Sequence, residues 1–104
     1  MNSPARNRIH DGKQRGILVY DQGRGTYEDN EVFGNELAGV FVETGGHPVV
    51  RNNRITGNGY GGVSVAEGGA GVFEDNDLRG NSLGPWDIHP SAEAQVTRAR
   101  NQEE

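Results

Sequence analysis

The positions of apolar and polar residues repeat along this chain every 23 residues. Four asparagines at that spacing each begin a row: Asn7, Asn30, Asn53 and Asn76. Apolar residues stand two, ten and twelve positions after each asparagine, and three positions before the later ones. These four columns are Ile9, Val32, Ile55, Leu78; Ile17, Val40, Val63, Trp86; Val19, Val42, Val65, Ile88; and Tyr27, Val50, Phe73. Agreement over the rows predicts a stack of equivalent units that share one core.

Each row is predicted to form three short β-strands joined by turns. Val40 and Val42 alternate with Phe41 and Glu43, which is the period of a strand, and glycine and asparagine separate such runs. Rows stacked in this way pair in parallel about 4.8 Å apart, and parallel connections are overwhelmingly right-handed. The sequence therefore predicts an all-β fold, a single-stranded right-handed parallel β-helix (solenoid) with four coils of about 23 residues. It forms one domain over 1–104, with coils at 7–29, 30–52, 53–75 and 76–98 and a polar C-terminal tail at 99–104.

Two charged columns support the predicted register. Opposite charges that face each other on paired strands stabilise a sheet, and like charges destabilise it. The signs alternate down the stack in both columns, which are Arg8, Glu31, Arg54, Asp77 and Glu28, Arg51, Glu74.

The asparagine column is predicted to be a structural ladder. An asparagine side chain both donates and accepts hydrogen bonds, and asparagine tolerates the left-handed backbone conformation of tight turns. Stacked asparagines can therefore satisfy backbone groups that short strands leave unpaired. A second, partial ladder runs through Asn35, Asn58 and Asn81, with Gly12 in the first row.

Other solenoids fit the sequence less well. Val50-x-x-Asn53-x-Ile55 superficially matches a leucine-rich repeat, but the chain has only four leucines, and each row carries a second strand where that fold needs a helix. A left-handed β-helix requires a hexapeptide period, which the sequence lacks.

Composition narrows the function classes. The net charge is -5, which argues against a nucleic-acid partner. There are no cysteines, so disulfides and thiolate metal sites are excluded. We see no signal peptide and no run long enough to cross a membrane, and we therefore expect a cytoplasmic protein without a membrane partner.

Two sequence blocks resemble a known family. Gly25-Thr26-Tyr27-Glu28-Asp29-Asn30-Glu31-Val32-Phe33 and Ala38-Gly39-Val40-Phe41-Val42 are similar to the parallel β-helix repeats of the pectate-lyase-like superfamily. The match is closest to the branch found in the substrate-binding region of an F-box ubiquitin-ligase subunit and in bacterial repeat proteins, and it covers roughly Asn7 to Ile88. The F-box is absent, so the resemblance implies no ubiquitin-ligase role. The segment 84–90 resembles a terminal coil, which implies the end portion of a longer solenoid.

Catalytic groups of the kind that the resemblance implies are hard to find. Enzymes of that superfamily work on an outward strand face, where Asp21 and Glu67 would lie about 10 Å apart, slightly beyond the pairs of inverting glycosidases. The simpler interpretation is that Asp21 and Glu67 are scattered surface acids without a catalytic role. Asp87 and His89 could form an acid–histidine pair, or they could decorate an end coil where Pro90 ends the strand. No catalytic residue, cofactor or metal site is predicted.

Binding is the better-supported prediction. Tyr20 and Phe41 point outward on neighbouring coils, where aromatic rings could stack on a sugar or hold a peptide. The candidate binding residues are Tyr20, Phe41, Glu43, Asp87 and His89. We predict a non-catalytic repeat scaffold for protein or carbohydrate binding. The alternatives are a fragment or relative of a polysaccharide-active enzyme (lyase, hydrolase or epimerase) and a chain that acts only with a partner.

The two ends of the stack are predicted to differ. Trp86 is large enough to cover the last layer, and Pro85 and Pro90 interrupt the repeat there. Only six residues precede Asn7, too few to cover the apolar layer of the first coil. We therefore predict an end-to-end homo-oligomer in which a second copy covers that layer.

Overall fold

A computed structural model describes residues 8–10, 12–20 and 25–103, and it confirms the all-β class. The strands are three or four residues long, and a six-residue 3₁₀ helix interrupts them near the C-terminus. In chain order the elements are β1 Arg8–His10, β2 Ile17–Val19, β3 Thr26–Glu28, β4 Glu31–Phe33, β5 Val40–Val42, β6 Val49–Arg51, β7 Arg54–Thr56, β8 Val63–Val65, β9 Gly71–Glu74, β10 Trp86–Ile88, the 3₁₀ helix Pro90–Gln95 and β11 Val96–Ala99.

The strands form three parallel sheets that wind into a solenoid of about four turns. Sheet 1 has the order β1-β4-β7, sheet 2 the order β10-β8-β5-β2, and sheet 3 the order β11-β9-β6-β3. From β1 to β10, residues that pair across neighbouring coils are 23 apart, as in Val32 with Ile55 and Val40 with Val63, whereas β11 pairs with β9 at a spacing of 25. The predicted parallel pairing and register are therefore confirmed.

The core consists of the predicted apolar columns. Eight of their members, in the second and third coils and at the start of the fourth, are fully buried, because inward side chains stack on those of the neighbouring coils. These residues are Val32, Val40, Val42, Val50, Ile55, Val63, Phe73 and Leu78. At the ends of the stack Ile9, Tyr27, Trp86 and Ile88 are only partly buried.

Two side chains of the first coil are nevertheless covered. Ile17 is 8% exposed and Val19 is 2% exposed within a single copy of the chain. A second copy is therefore not required to shield them from water. The end-to-end homo-oligomer stays a prediction. The burial of Ile17 and Val19 means that these two residues give no reason to expect it.

Both asparagine ladders form. The Oδ1 atom of Asn53 accepts from the backbone N–H of Asn30 at 2.9 Å, and its Nδ2 atom donates to the carbonyl of Tyr27 at 2.8 Å. Asn76 accepts from Asn53 in the same way. In the second ladder Asn35, Asn58 and Asn81 repeat this pattern. Asn7 lies outside the described residues.

The left-handed backbone conformation falls one residue before each asparagine of the first ladder. Asp29, Asn52, Asp75 and Arg100 have φ angles of 60°, 56°, 58° and 58°. The described ladder asparagines therefore contribute side-chain hydrogen bonds, and the residue before each of them adopts the left-handed turn conformation.

The first ladder continues into the segment that the sequence suggests is a tail. Asn76 donates from its backbone N–H and from Nδ2 to Oδ1 of Asn101, both at 3.0 Å. The step from Asn76 to Asn101 is 25 residues because the 3₁₀ helix lengthens the last coil. β11 pairs with β9, and Gln102 pairs with Asp77.

Charged groups cover the last layer of the core. Arg98 takes the place that Phe73 has one coil earlier, and its guanidinium lies 5.1 Å from the centre of the Trp86 ring. The Nε1 atom of Trp86 donates to the carboxylate of Glu103 at 2.7 Å. Pro85 occupies the position where Gly39 and Gly62 donate a backbone N–H to the next coil, so the edge of sheet 2 lacks this donor. These features close the stack, as the position of Trp86 predicts.

The charged columns allow a test of the register. Arg54 lies between Glu31 and Asp77, and its guanidinium is 3.7 Å from the Glu31 carboxylate. Arg54→Glu should lower the free energy of unfolding by about 1 kcal/mol at low ionic strength, because it places a third acid between two others. Arg54→Gln, which removes the attraction without adding repulsion, should cost less. Denaturant unfolding at two salt concentrations measures both, and a loss that salt does not reduce would contradict the pairing.

Candidate functional site

The outer faces of the three sheets differ in character. Sheets 1 and 3 carry charged residues that form ion pairs between coils, as Arg51 does with Glu28 at 3.3 Å and Arg54 with Glu31 at 3.7 Å. The outer face of sheet 2 and the turns on either side of its strands carry apolar groups. Among the described residues, every large hydrophobic side chain that is well exposed lies there: Leu18 (43%), Tyr20 (56%), Tyr60 (43%) and Leu83 (56%).

The predicted aromatic residues lie on the outer face of sheet 2. Phe41 pairs with Leu18 of the preceding coil, which places both side chains in one outward column. The guanidinium of Arg15 lies 4.4 Å from the centre of the Phe41 ring, so Phe41 is only half-exposed. Tyr20 is well exposed, and its ring does not contact that of Phe41. The ring of Tyr20 is therefore exposed, whereas the Arg15 guanidinium covers the ring of Phe41.

The acid–histidine pair does not form. Nδ1 of His89 accepts the backbone N–H of Ser91 at 3.1 Å and lies 2.8 Å from the Ser91 hydroxyl. His89 thereby caps the 3₁₀ helix, which begins at Pro90. Asp87 is exposed and does not hydrogen-bond to His89. His89 has a structural partner, whereas Asp87 and half-buried Glu43 remain available to a ligand.

One outward residue is unexpectedly buried. Ser64 is only 2% exposed, and its Oγ atom has no hydrogen-bond partner. A Cβ atom on Gly61 would lie 3.3 Å from that Oγ and 3.2 Å from the Cβ of Asp87. Among the described residues, no base contacts this hydroxyl.

The sequence analysis missed an apolar column in the turn before sheet 2. Leu37, Tyr60 and Leu83 stand seven positions after successive ladder asparagines. The turn lacks the alternation of a strand, so the pattern of inward and outward positions does not single these residues out. Their 23-residue spacing was the signal that could have found them.

A polar groove of about 770 Å³ follows the first asparagine ladder. Its walls carry both charges, with Glu31 and Asp77 beside Arg54 and Arg100. A side-chain hydrogen bond from Arg79 lowers the pKa of Asp77.

Arg100 acts in the same way at the end of this groove. Its side-chain hydrogen bond lowers the pKa of the Asp75 carboxyl and raises the pKa of the Arg100 guanidinium. Arginines therefore hold the carboxylates of Asp75 and Asp77 in the ionised form. An ionised carboxylate paired with an arginine suits a structural ion pair and does not suit a general acid.

Several other predicted features can be placed. Within 8–10, 12–20 and 25–103, no three His, Cys, Asp or Glu side chains are grouped as metal ligands. His10 stacks on Phe33 with ring centres 4.8 Å apart. Asp21 lies outside the described residues, so its distance from Glu67 is not defined. No described helix is long and apolar enough to cross a bilayer.

Comparison with known proteins identifies the fold family. The family model for the right-handed β-helix region matches residues 2–100, nearly the whole chain. No curated protein and no solved structure matches the chain. The family match agrees with the parallel sheets, the 23-residue register and the buried asparagine stacks. The chain therefore belongs to the right-handed β-helix family.

Proposed function

We propose that this chain is a non-catalytic β-helix scaffold that binds a protein or carbohydrate partner on the outer face of sheet 2. The observation that carries the proposal is the collection of exposed apolar side chains on that face and its turn, including Tyr20 and Tyr60. Exposed apolar groups gathered on one side of a small protein are typical of interaction sites. Tyrosine suits both partner classes, since its ring stacks on sugars and packs against side chains.

Three features favour binding over catalysis. The carboxylates with lowered pKa, Asp75 and Asp77, lie in the ladder groove and are paired with arginines. His89 caps a helix, and the buried hydroxyl of Ser64 contacts no base. The two repeat blocks support placing the chain near the pectate-lyase-like superfamily and its binding-scaffold branch. A shared fold carries no activity by itself.

A carbohydrate panel tests this proposal. Oligosaccharides from pectin, alginate and xylan would be titrated calorimetrically into the intact chain, and the same mixtures would be assayed for new reducing ends. Binding without turnover supports the scaffold, and Tyr20→Ala should then weaken it about tenfold. Thr56→Ala, on the outer face of sheet 1, serves as the control and should leave binding unchanged. Turnover of any of these polymers would contradict the proposal.

A further inference from the structure

We infer that the partner is a protein segment that combines basic and apolar side chains. This inference rests on the proposed function and specifies its partner. The docking surface, which we term the acidic flank, comprises residues 34–47, 57–70 and 80–89. It includes the turns before sheet 2, three strands of that sheet and the turns that follow two of them.

An apolar ridge forms one border of the acidic flank. Leu37, Tyr60 and Leu83 occupy equivalent positions on successive coils, and Leu83 donates its backbone N–H to the carbonyl of Tyr60 at 3.2 Å. Tyr60 is 43% exposed and Leu83 is 56% exposed. None of the three belongs to the buried core, so their apolar surface is available to a partner.

The ridge stands on a rigid support. The second asparagine ladder runs two residues before it, and Asn58 donates to Oδ1 of Asn81 from its backbone N–H and from Nδ2, each at 2.9 Å. Both asparagines are buried. A surface held in place in this way loses little conformational entropy when a partner binds.

The charge of the acidic flank identifies the class of partner. The three ranges contain four carboxylates, Glu36, Glu43, Glu67 and Asp87, and no lysine or arginine of their own, while Arg15 of the first coil lies over Phe41 at their edge. None of these carboxylates makes an ion pair with a described residue. In contrast, Arg54 of sheet 1 and Arg51 and Arg98 of sheet 3 are paired with carboxylates.

Unpaired acids beside an exposed apolar ridge complement a cationic partner with apolar anchors. An anionic polymer, such as a uronate polysaccharide or a nucleic acid, would be repelled by the same carboxylates. A neutral glycan could use Tyr60 but would leave the four charges without a counterpart. A basic protein segment uses both features, and the ridge spans about 10 Å, or three to four extended residues.

Two of the four carboxylates, Glu36 and Asp87, belong to residues next to the ridge. Glu36 directly precedes Leu37, and a Cβ atom on Gly61, which follows Tyr60, would lie 3.2 Å from the Cβ of Asp87. Both side chains are exposed. Replacing Glu36 with glutamine and Asp87 with asparagine therefore tests whether these negative charges attract a basic partner.

The test uses a fluorescein-labelled octapeptide of five lysines and three leucines, titrated into the full chain and followed by anisotropy. We expect saturable binding that weakens at least threefold between about 50 and 300 mM salt. The double variant Tyr60→Ser/Leu83→Ser should weaken binding about tenfold, and Glu36→Gln/Asp87→Asn should weaken it several-fold. Octalysine should bind less tightly than the mixed peptide.

A matched control separates a local effect from net charge. Glu28→Gln/Glu74→Gln removes two carboxylates from sheet 3 and changes the net charge by the same amount, yet it should leave peptide binding unchanged. Circular dichroism melting of each variant verifies that the fold is retained. An equal loss in the sheet 3 control, or octalysine binding as tightly as the mixed peptide, would overturn the inference.

The remaining outcomes distinguish this inference from the proposed function. If neutral oligosaccharides bind and the mixed peptide does not, the scaffold stands and the basic partner is wrong. If neither class binds, both are wrong. If sedimentation shows a dimer that Tyr60→Ser/Leu83→Ser dissociates, a second copy occupies the ridge and the inference is overturned.

Discussion

Gly39→Ala is expected to lower the free energy of unfolding by about 3 kcal/mol, although it adds only one methyl group. A Cβ atom on Gly39 would overlap Cγ2 of Ile55, which is fully buried in the next coil. It would also lie 2.8 Å from Nδ2 of Asn58 and 2.9 Å from the carbonyl oxygen of Gly62. The substitution therefore strains the core, the second ladder and the backbone between two coils at once.

A second glycine provides the control for this prediction. Gly57 has a φ angle of 66° and open space where a Cβ atom would lie. Gly57→Asn should change stability by less than about 0.5 kcal/mol, because asparagine tolerates the left-handed conformation and meets no neighbour. Urea unfolding followed by circular dichroism measures both variants. Similar midpoints for Gly39→Ala and the unmodified chain would show that the coils are not packed as closely as the structure has them.

The repeat made most of the fold predictable from the sequence. In a stack of coils each inward residue contacts its own equivalents, so the columns of Val40 and Val50 had to remain apolar at fixed spacing. The charged columns added register, because Arg54 faces Glu31 only if the rows align. Both signals arise because equivalent positions of neighbouring coils contact each other. The spacing of the repeat therefore reveals which residues are in contact.

The last coil was harder to predict because its residues do not follow the 23-residue columns of the earlier coils. The 3₁₀ helix shifts the ladder, so Asn101 does not fall at the 23-residue interval. Arg98 occupies an inward position that hydrophobic patterning assigns to an apolar side chain. A charged residue is favourable there because the layer faces water and the guanidinium can lie over Trp86 and pair with Glu93.

The candidate site was only partly predictable for a related reason. Alternation along β5 correctly placed Phe41 on the outer face, but it did not reveal that Arg15 covers the ring. Ser64 stands at an outward position of the column between Phe41 and Asp87, yet it is buried. Exposure on an outer face depends on neighbouring side chains from turns, and those turns do not follow the period of a strand.

Asn53→Ala is expected to destabilise the chain by about 3 kcal/mol, since two buried groups and one partly buried group lose a hydrogen-bond partner and each buried one costs roughly 1–3 kcal/mol before relaxation. The backbone N–H and Nδ2 of Asn30 would lose their acceptor at 2.9 and 3.1 Å, and the carbonyl of Tyr27 would lose its donor. Asn53 is only 3% exposed, so bulk water cannot simply replace the side chain.

The neighbouring residue gives the matched control for the ladder. Asn52 is exposed and has a φ angle of 56°, which glycine adopts readily. Asn52→Gly should therefore shift the unfolding midpoint far less than Asn53→Ala does. Amide hydrogen exchange adds a local readout, because the Asn30 N–H should lose protection in Asn53→Ala even under conditions where the chain remains folded. Equal destabilisation by the two variants, with the Asn30 amide still protected, would mean that strand pairing and core packing hold the coils together without the ladder.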